Sequence, residues 1–232
     1  GTFLFEGPSD AKEAQALFSS QNIWRNVANQ LVNLCVLHGF DGWLVNVETD
    51  LVVGGDDGEG GGADAFCQFL TYLQSQMKER VGIHSQVIYY DSLNNRGKFQ
   101  HQNALLSKQN NKAYFDSCDG IFINYRWFDF GTLARSKMEA SSTGGNNNDD
   151  DDDDRQFDVY AGVDVYARNC DYDQGLGCKE AVDSATVSGV SVALFAPGWV
   201  QEEGPGSNVL PGSEAARCAD RTFWTEVLGS IS

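Results

Sequence analysis

Apolar positions in this chain fall into short, nearly continuous runs, separated by stretches where they recur every three or four residues. The runs cover roughly Thr2–Glu6, Gly42–Glu48, Gln86–Asp91, Gly120–Tyr125, Asp158–Val165 and Ser191–Ala196. They are rich in β-branched and aromatic residues, as strands covered on both faces are. Helical stripes lie between several of them. Ile23–Leu37 places Trp24, Val27, Leu31, Leu34 and Cys35 on one face, and Phe66, Phe69, Leu70, Leu73 and Met77 form a second stripe. Ser213–Leu228 carries Ala216, Phe223, Trp224 and Leu228. Strands alternating with helices predict βα units and a parallel sheet.

Six strands are too few for a closed (β/α)8 TIM barrel, which needs eight. An open parallel sheet would leave two long unpaired edges. The expected fold is therefore α/β, an incomplete TIM barrel over residues 1–232 that lacks its first and last strands. A doubly wound open sheet is the alternative, but its Gly-rich phosphate loop is missing: "GGDDGEGGG" does not fit GxGxxG before a helix. Two segments read as insertions. Gly54–Asp64 is a Gly/Asp-rich loop, and 141–155, "SSTGGNNNDDDDDDR", is a low-complexity acidic stretch expected to be disordered. Contiguous Asp lacks the spaced ligands and turn glycine of a calcium loop.

The net charge of −17, six units of it from Asp149–Asp154, argues against nucleic acid or an anionic membrane surface as partner. No apolar run is long enough to span a bilayer. The six cysteines form no CxxC and have no histidine at zinc-finger spacing, so no metal site is expected. Cys35 and Cys67 fall on apolar helix faces. Reduced thiols of a cytoplasmic protein are the expectation, with a Cys170–Cys178 loop disulfide left open. The chain starts at Gly1 and enters a strand at once, so the native N-terminus is expected to lie upstream, and a signal peptide there stays open.

The densest chemistry sits in "DGWLVNVE", Asp41–Glu48. Asn46 and Glu48 are two residues apart, hence on one face of a strand, while Trp43, Val45 and Val47 face the other way. An amide and a carboxyl at the C-terminal end of a buried parallel strand lie where barrel enzymes place their chemistry. An isolated pair of this kind more often simply faces water. The other strands change the balance. Tyr90 and Asp91 end one; Asn124, Tyr125 and Trp127 end another; Asp158, Tyr160, Asp164, Tyr166 and Arg168 line a third; Trp199 follows a fourth. Aromatic faces stack on sugar rings, and carboxylates and amides bind hydroxyls, so these positions together favour a carbohydrate cleft.

The stretches "GTFLFE", "GFDGWLVNVE", "VIYYDS", "CDGIFINYRW", "DVYAGVDVYAR" and "ALFAPGWV", in this order, resemble glycoside hydrolase family 85, the endo-β-N-acetylglucosaminidases. The resemblance implies a (β/α)8 barrel with "NxE" on the third strand. It implies that Glu48 is the general acid/base, that Asn46 holds the substrate 2-acetamido group, that Tyr90 lines the −1 site and that Trp127 lies near the cleft. It implies hydrolysis of the β-1,4 bond between the two GlcNAc residues of the N-glycan core, on free glycans, glycopeptides or glycoproteins, with no cofactor. Catalysis would be substrate-assisted and retaining, the acetamide oxygen attacking C1, and a Glu48 pKa raised by burial would suit the acid. The chain departs from the family pattern at Tyr89, where Trp is usual. It also departs at His101, where a Trp of the outer cleft rim precedes Gln102 and Asn103, and at Gln201, where Tyr is common. Two other readings compete. A chitinase-like family 18 enzyme would need carboxylates where Leu44 and Asn46 stand. A non-catalytic glycan-binding remnant would bind N-glycans without cleaving them.

Overall fold

A computed structural model describes residues 1–51, 61–107, 110–127, 129–142 and 155–229. The loop expected at Gly54–Asp64 lies outside the described residues up to position 60, and the acidic insertion expected at 141–155 lies outside them from 143 to 154. The chain forms two compact units, Gly1–Ile123 and Asn124–Ser232.

The first unit runs β1 (Thr2–Glu6), α1 (Gly7–Phe18), α2 (Gln21–His38), β2 (Gly42–Glu48), α3 (Gly61–Arg80), β3 (Gln86–Tyr90), α4 (Lys112–Phe115) and β4 (Gly120–Ile123). Its strands pair in parallel in chain order, with Leu4 opposite Asn46, Glu6 opposite Glu48, Val45 opposite Tyr89 and Tyr90 opposite Phe122. Such an order has no reversal point of the kind a doubly wound sheet requires. The second unit runs α5 (Phe130–Ser141), β5 (Val159–Asp164), α6 (Lys179–Ser188), β6 (Ser191–Phe195), α7 (Trp199–Glu202) and α8 (Glu214–Leu228), with β5 and β6 parallel. The six expected strands are the six observed, shorter by one or two residues at the C-terminal ends of four.

Local chemistry explains how the chain enters β2. Helix α2 ends at Gly39, whose φ of 71° lets its N–H bond back to the Cys35 carbonyl at 2.8 Å. At Gly42 a Cβ would lie 2.2 Å from the Gln86 carbonyl oxygen, so only glycine lets β2 approach β3 at this point. The "GFDG" lead-in is thus a helix stop followed by a strand start. Along β2, Trp43, Val45 and Val47 are buried, while Leu44, Asn46 and Glu48 are half-buried.

The first unit's core is aromatic. Phe66 meets Phe18, Tyr89 and Tyr114 at centroid distances of 5.2–5.9 Å. Phe69, Leu70, Leu73 and Met77 are fully buried, as the stripe on α3 predicts. The α2 stripe is rotated from its expected position: Ala28 and Val32 join Trp24, Leu31 and Cys35 inside, and Leu34 is exposed. On α8, Ala216, Phe223 and Val227 are buried, leaving Trp224 and Leu228 partly exposed. Both helices carry more apolar residues than one face can bury, and the partner surface selects among them. Helix α1 has only Ala14, Leu17 and Phe18 buried, too weak a stripe to read from sequence. The second unit closes on a smaller cluster of Val163, Val165, Cys178, Ala181, Val182, Val200, Phe223 and Val227.

All six cysteines are free, so the Cys170–Cys178 disulfide left open by the sequence does not form. Burial pushes the Cys178 thiol up to about 11. Among the described residues no helix is long and apolar enough to cross a membrane.

Candidate active site

Asn46 and Glu48 meet at the C-terminal end of β2. The Asn46 Nδ2 donates to Glu48 Oε1 at 2.9 Å, while Asn46 Oδ1 is buried and has no partner. An acceptor left without a donor in a partly buried site costs on the order of 1–3 kcal/mol, and a bound N–H would remove that cost. The other carboxylate oxygen, Oε2, lies 3.5 Å from His101 Nε2, with 21% of the Glu48 side chain and 30% of the His101 side chain exposed. The expected rise in the Glu48 pKa is not what this geometry gives. Contact with His101 holds the carboxyl below the usual Glu value, burial pulls it up by less, and the Asn46 amide pulls it down further. A burial argument read from sequence could not include a histidine that arrives from a loop 53 positions away.

That loop is tied to the strand ends on both sides of His101. Phe99 N donates to Asp50 Oδ1 (2.8 Å) and Gln100 N to the Ser92 carbonyl (2.8 Å). Gln102 N and Asn103 N both donate to Asp91 Oδ2 (3.0 and 2.6 Å). Asp91 is fully buried, and its Oδ1 accepts from Asn111 Nδ2 at 3.0 Å. Burial pushes the Asp91 carboxyl up to about 7, with Asn111 and the two loop N–H groups pulling the other way. His101 packs edge-on against Tyr90 (5.9 Å) and Phe99 (5.0 Å). The residue expected at the outer rim therefore lies against the candidate acid. An open cleft of about 430 Å³ adjoins Glu48, lined by Gly7, Pro8, Gln15, Thr49, Asp50 and Phe99.

The remaining sequence-predicted residues belong to the second unit. Asn124 is buried. Tyr125 stacks on Phe195 at 5.8 Å and 17°, and the Arg168 guanidinium lies 5.4 Å from the Phe195 ring centre, making a partly exposed aromatic platform. Phe195, at the end of β6, was not among the predicted residues; an apolar strand terminus carries no sequence mark of such a role. Trp127 Nε1 donates to the Gly162 carbonyl at 2.9 Å. Asp164 has no exposed side-chain surface and is held by Arg168 Nε (2.7 Å), Arg168 Nη2 (3.0 Å) and the N–H groups of Tyr166 and Arg168. Asp158 pairs with Arg155 at 2.8 Å. Tyr160 is half-buried on β5, opposite Ser191. Trp199 lines an apolar cavity of about 540 Å³ with Leu176, Val209, Cys218 and Phe223, and its buried Nε1 has no partner.

The family model for glycosyl hydrolase family 85 matches residues 1–229. A cytosolic endo-beta-N-acetylglucosaminidase of Danio rerio is 37% identical over 202 residues, 87% of this chain and 25% of its own length. The human protein of that name is 34% identical over 205 residues (87% and 24%), and cytosolic endo-beta-N-acetylglucosaminidase 2 of Arabidopsis thaliana is 32% identical over 202 residues (87% and 26%). The chain thus spans about a quarter of the length of the curated relatives it matches. A crystal structure of a chitinase from Rhizomucor miehei superposes with a TM-score of 0.55 at 9% identity, covering 96% of this chain and 81% of that one. At that identity the likeness concerns the fold, an α/β barrel that is incomplete in this chain.

Proposed function

The chain belongs to glycosyl hydrolase family 85, and from that premise we propose that it carries the catalytic strand set of an endo-β-N-acetylglucosaminidase. The enzyme would hydrolyse the β-1,4 bond of the GlcNAc–GlcNAc core of N-glycans, free or on glycopeptides and glycoproteins. The observation that supports this best is the Asn46–Glu48 pair, joined at 2.9 Å and presenting one unpartnered amide oxygen beside the acid.

Substrate-assisted cleavage needs an acid and a group that orients the 2-acetamide, and no carboxylate nucleophile. Asn46 Oδ1 accepts the acetamide N–H, which leaves the acetamide oxygen free and more electron-rich. Protonated Glu48 donates its proton to the glycosidic oxygen as the acetamide oxygen attacks C1. The C1–O bond breaks, one GlcNAc leaves with that proton, and an oxazolinium remains. Glu48, now a carboxylate, takes a proton from water as the water oxygen attacks C1, and the ring opens with net retention. Tyr90, buried beside His101, closes the sugar site. Tyr125 with Phe195 and Arg168, together with Trp127, Asn124, Asp158, Tyr160, Asp164 and Trp199, are the proposed glycan-binding and supporting residues. This chemistry uses no cofactor. The relatives are named cytosolic, and the cytoplasm is the proposed location of this chain.

The deciding test incubates the full chain with a high-mannose glycopeptide and reads products by mass, beside Glu48→Gln. The expected result is a glycan ending in one GlcNAc, its release slowed about 10²–10⁴-fold or more in Glu48→Gln. Glycopeptide binding with no cleavage by the unaltered chain would overturn the enzyme reading in favour of a glycan-binding remnant.

A further inference from the structure

We propose that His101 is a positioning and proton-storing residue for Glu48, the two side chains acting as one acid–base pair in which the imidazole holds the proton that Glu48 delivers. The proposal rests on the glycosidase reading above and adds a residue to it.

Three features of the site lead to it. The first is which atoms face which. Oε1 of Glu48 is already taken by the Asn46 amide, a donor that cannot release a proton. Oε2 faces His101 Nε2 at 3.5 Å, and that nitrogen is buried with no hydrogen bond closer to ideal geometry. The imidazole can either give or take a proton at that nitrogen. A contact of this length is loose for a hydrogen bond, as catalytic pairs often are before substrate arrives.

The second feature is rigidity. The backbone N–H groups of Phe99, Gln100, Gln102 and Asn103 are all anchored, two of them on Asp91 and one each on Asp50 and Ser92. Tyr90 and Phe99 pack edge-on against the ring. An exposed rim histidine would need none of this support. A residue that must keep one nitrogen aimed at one oxygen does.

The third is a problem the site must solve. A glutamate at its ordinary value is already ionised in nearly every molecule at neutral pH, and the contact with His101 holds Glu48 lower still. Ionised Glu48 suits the second step, which needs a base; the first step needs an acid. A Glu⁻/HisH⁺ pair and a GluH/His pair carry the same number of protons, so their ratio does not depend on pH. Moving the proton from His101 Nε2 to Glu48 Oε2 produces the acid without drawing on solvent. After the leaving GlcNAc departs, Glu48 takes a proton from the attacking water and can return it to His101.

Other charged or titratable groups surround the pair. Glu6 of β1 stands in register with Glu48, and Asp10 of α1 accepts from the Glu6 N–H. Asp50 follows β2 and pairs with Lys98 at 3.2 Å. Tyr90 ends β3 and Asp91 follows it. Lys98 is engaged by Asp50, and among the described residues His101 is the basic side chain within ion-pair distance of Glu48.

The test measures kcat and kcat/KM against pH for the full chain, for His101→Gln and for His101→Phe. In parallel, ¹⁵N-imidazole resonances follow His101, one of only three histidines in the sequence. The expected result is that the alkaline limb of kcat in the unaltered chain coincides with the His101 titration midpoint. In both variants that limb moves to lower pH, and kcat near neutrality falls about 10²-fold with KM little changed. A limb that keeps its position in the variants, whatever the loss of amplitude, overturns the proposal and leaves the glycosidase reading intact. So does a limb in the unaltered chain that does not coincide with the His101 midpoint. If the unaltered chain cleaves nothing at any pH, the glycosidase reading itself fails.

Discussion

Two strand-end carboxyls, Glu48 in the unit Gly1–Ile123 and Asp164 in the unit Asn124–Ser232, are treated in opposite ways. Around Glu48 capacity is left unspent: Asn46 Oδ1 has no donor, and His101 Nε2 faces Glu48 at a distance loose for a hydrogen bond. In Asn124–Ser232 the strand-end carboxylate Asp164 is fully spent, gripped by both arms of Arg168 and by two backbone N–H groups. Both arrangements look alike in sequence, as acidic and amide residues closing an apolar strand. The difference teaches that strand-end carboxylates are not equivalent: capacity left open is available to a ligand, while capacity closed locally holds the loop in place. The cores differ too. The first unit is built on interlocked aromatic rings, and the second mainly on valine and alanine.

Four substitutions press on that contrast. The largest effect should come from Phe66→Ala, which empties a ring touching Phe18, Tyr89 and Tyr114. A stability loss of about 3–5 kcal/mol is expected, against about 2 kcal/mol for Val182→Ala in the second unit, both read from denaturant unfolding. Similar losses in the two would remove the contrast between the cores. Next comes Asn46→Ala, expected to slow cleavage roughly 10²–10³-fold, the size of effect seen when one preorganised group that stabilises transition-state charge is removed, with little change in stability. Unaltered turnover would show that the open amide oxygen has no chemical task. The smallest effect is expected from Arg168→Ala. The Asp164 carboxylate would lose its cation but keep two N–H donors, and with Arg168 half-exposed the cost should be about 1–3 kcal/mol. Thermal unfolding with parallel kinetics decides the role: lost stability with KM held marks a strut, whereas a raised KM with stability held would move Arg168 onto the glycan.

The strand pattern was legible because strands covered on both faces are written as apolar runs. All six runs became strands, and "NxE" on one face followed from the two-residue period alone. The helix faces were less legible. Leu34 and Trp224 fit their stripes as well as Ala28 and Val227 do, and only the neighbouring surface settles which turn inward.

The candidate site divides in the same way. Sequence by itself determined that Asn46 and Glu48 share a strand face, since their relation is local and set by backbone geometry. The structure supplies the reason for glycine at 39 and 42, a left-handed backbone at the first and a close strand approach at the second. The tertiary structure alone decided that His101 lies against Glu48, that Asp91 is spent on anchoring the loop that carries it, and that Asp164 turns to Arg168. Most of those contacts depend on where strands and loops distant in the chain meet, and Asp164–Arg168, though close in sequence, depends on the turn between them. A carboxyl's proton affinity is set by whatever stands within a few ångströms of it, whichever part of the chain supplies that neighbour.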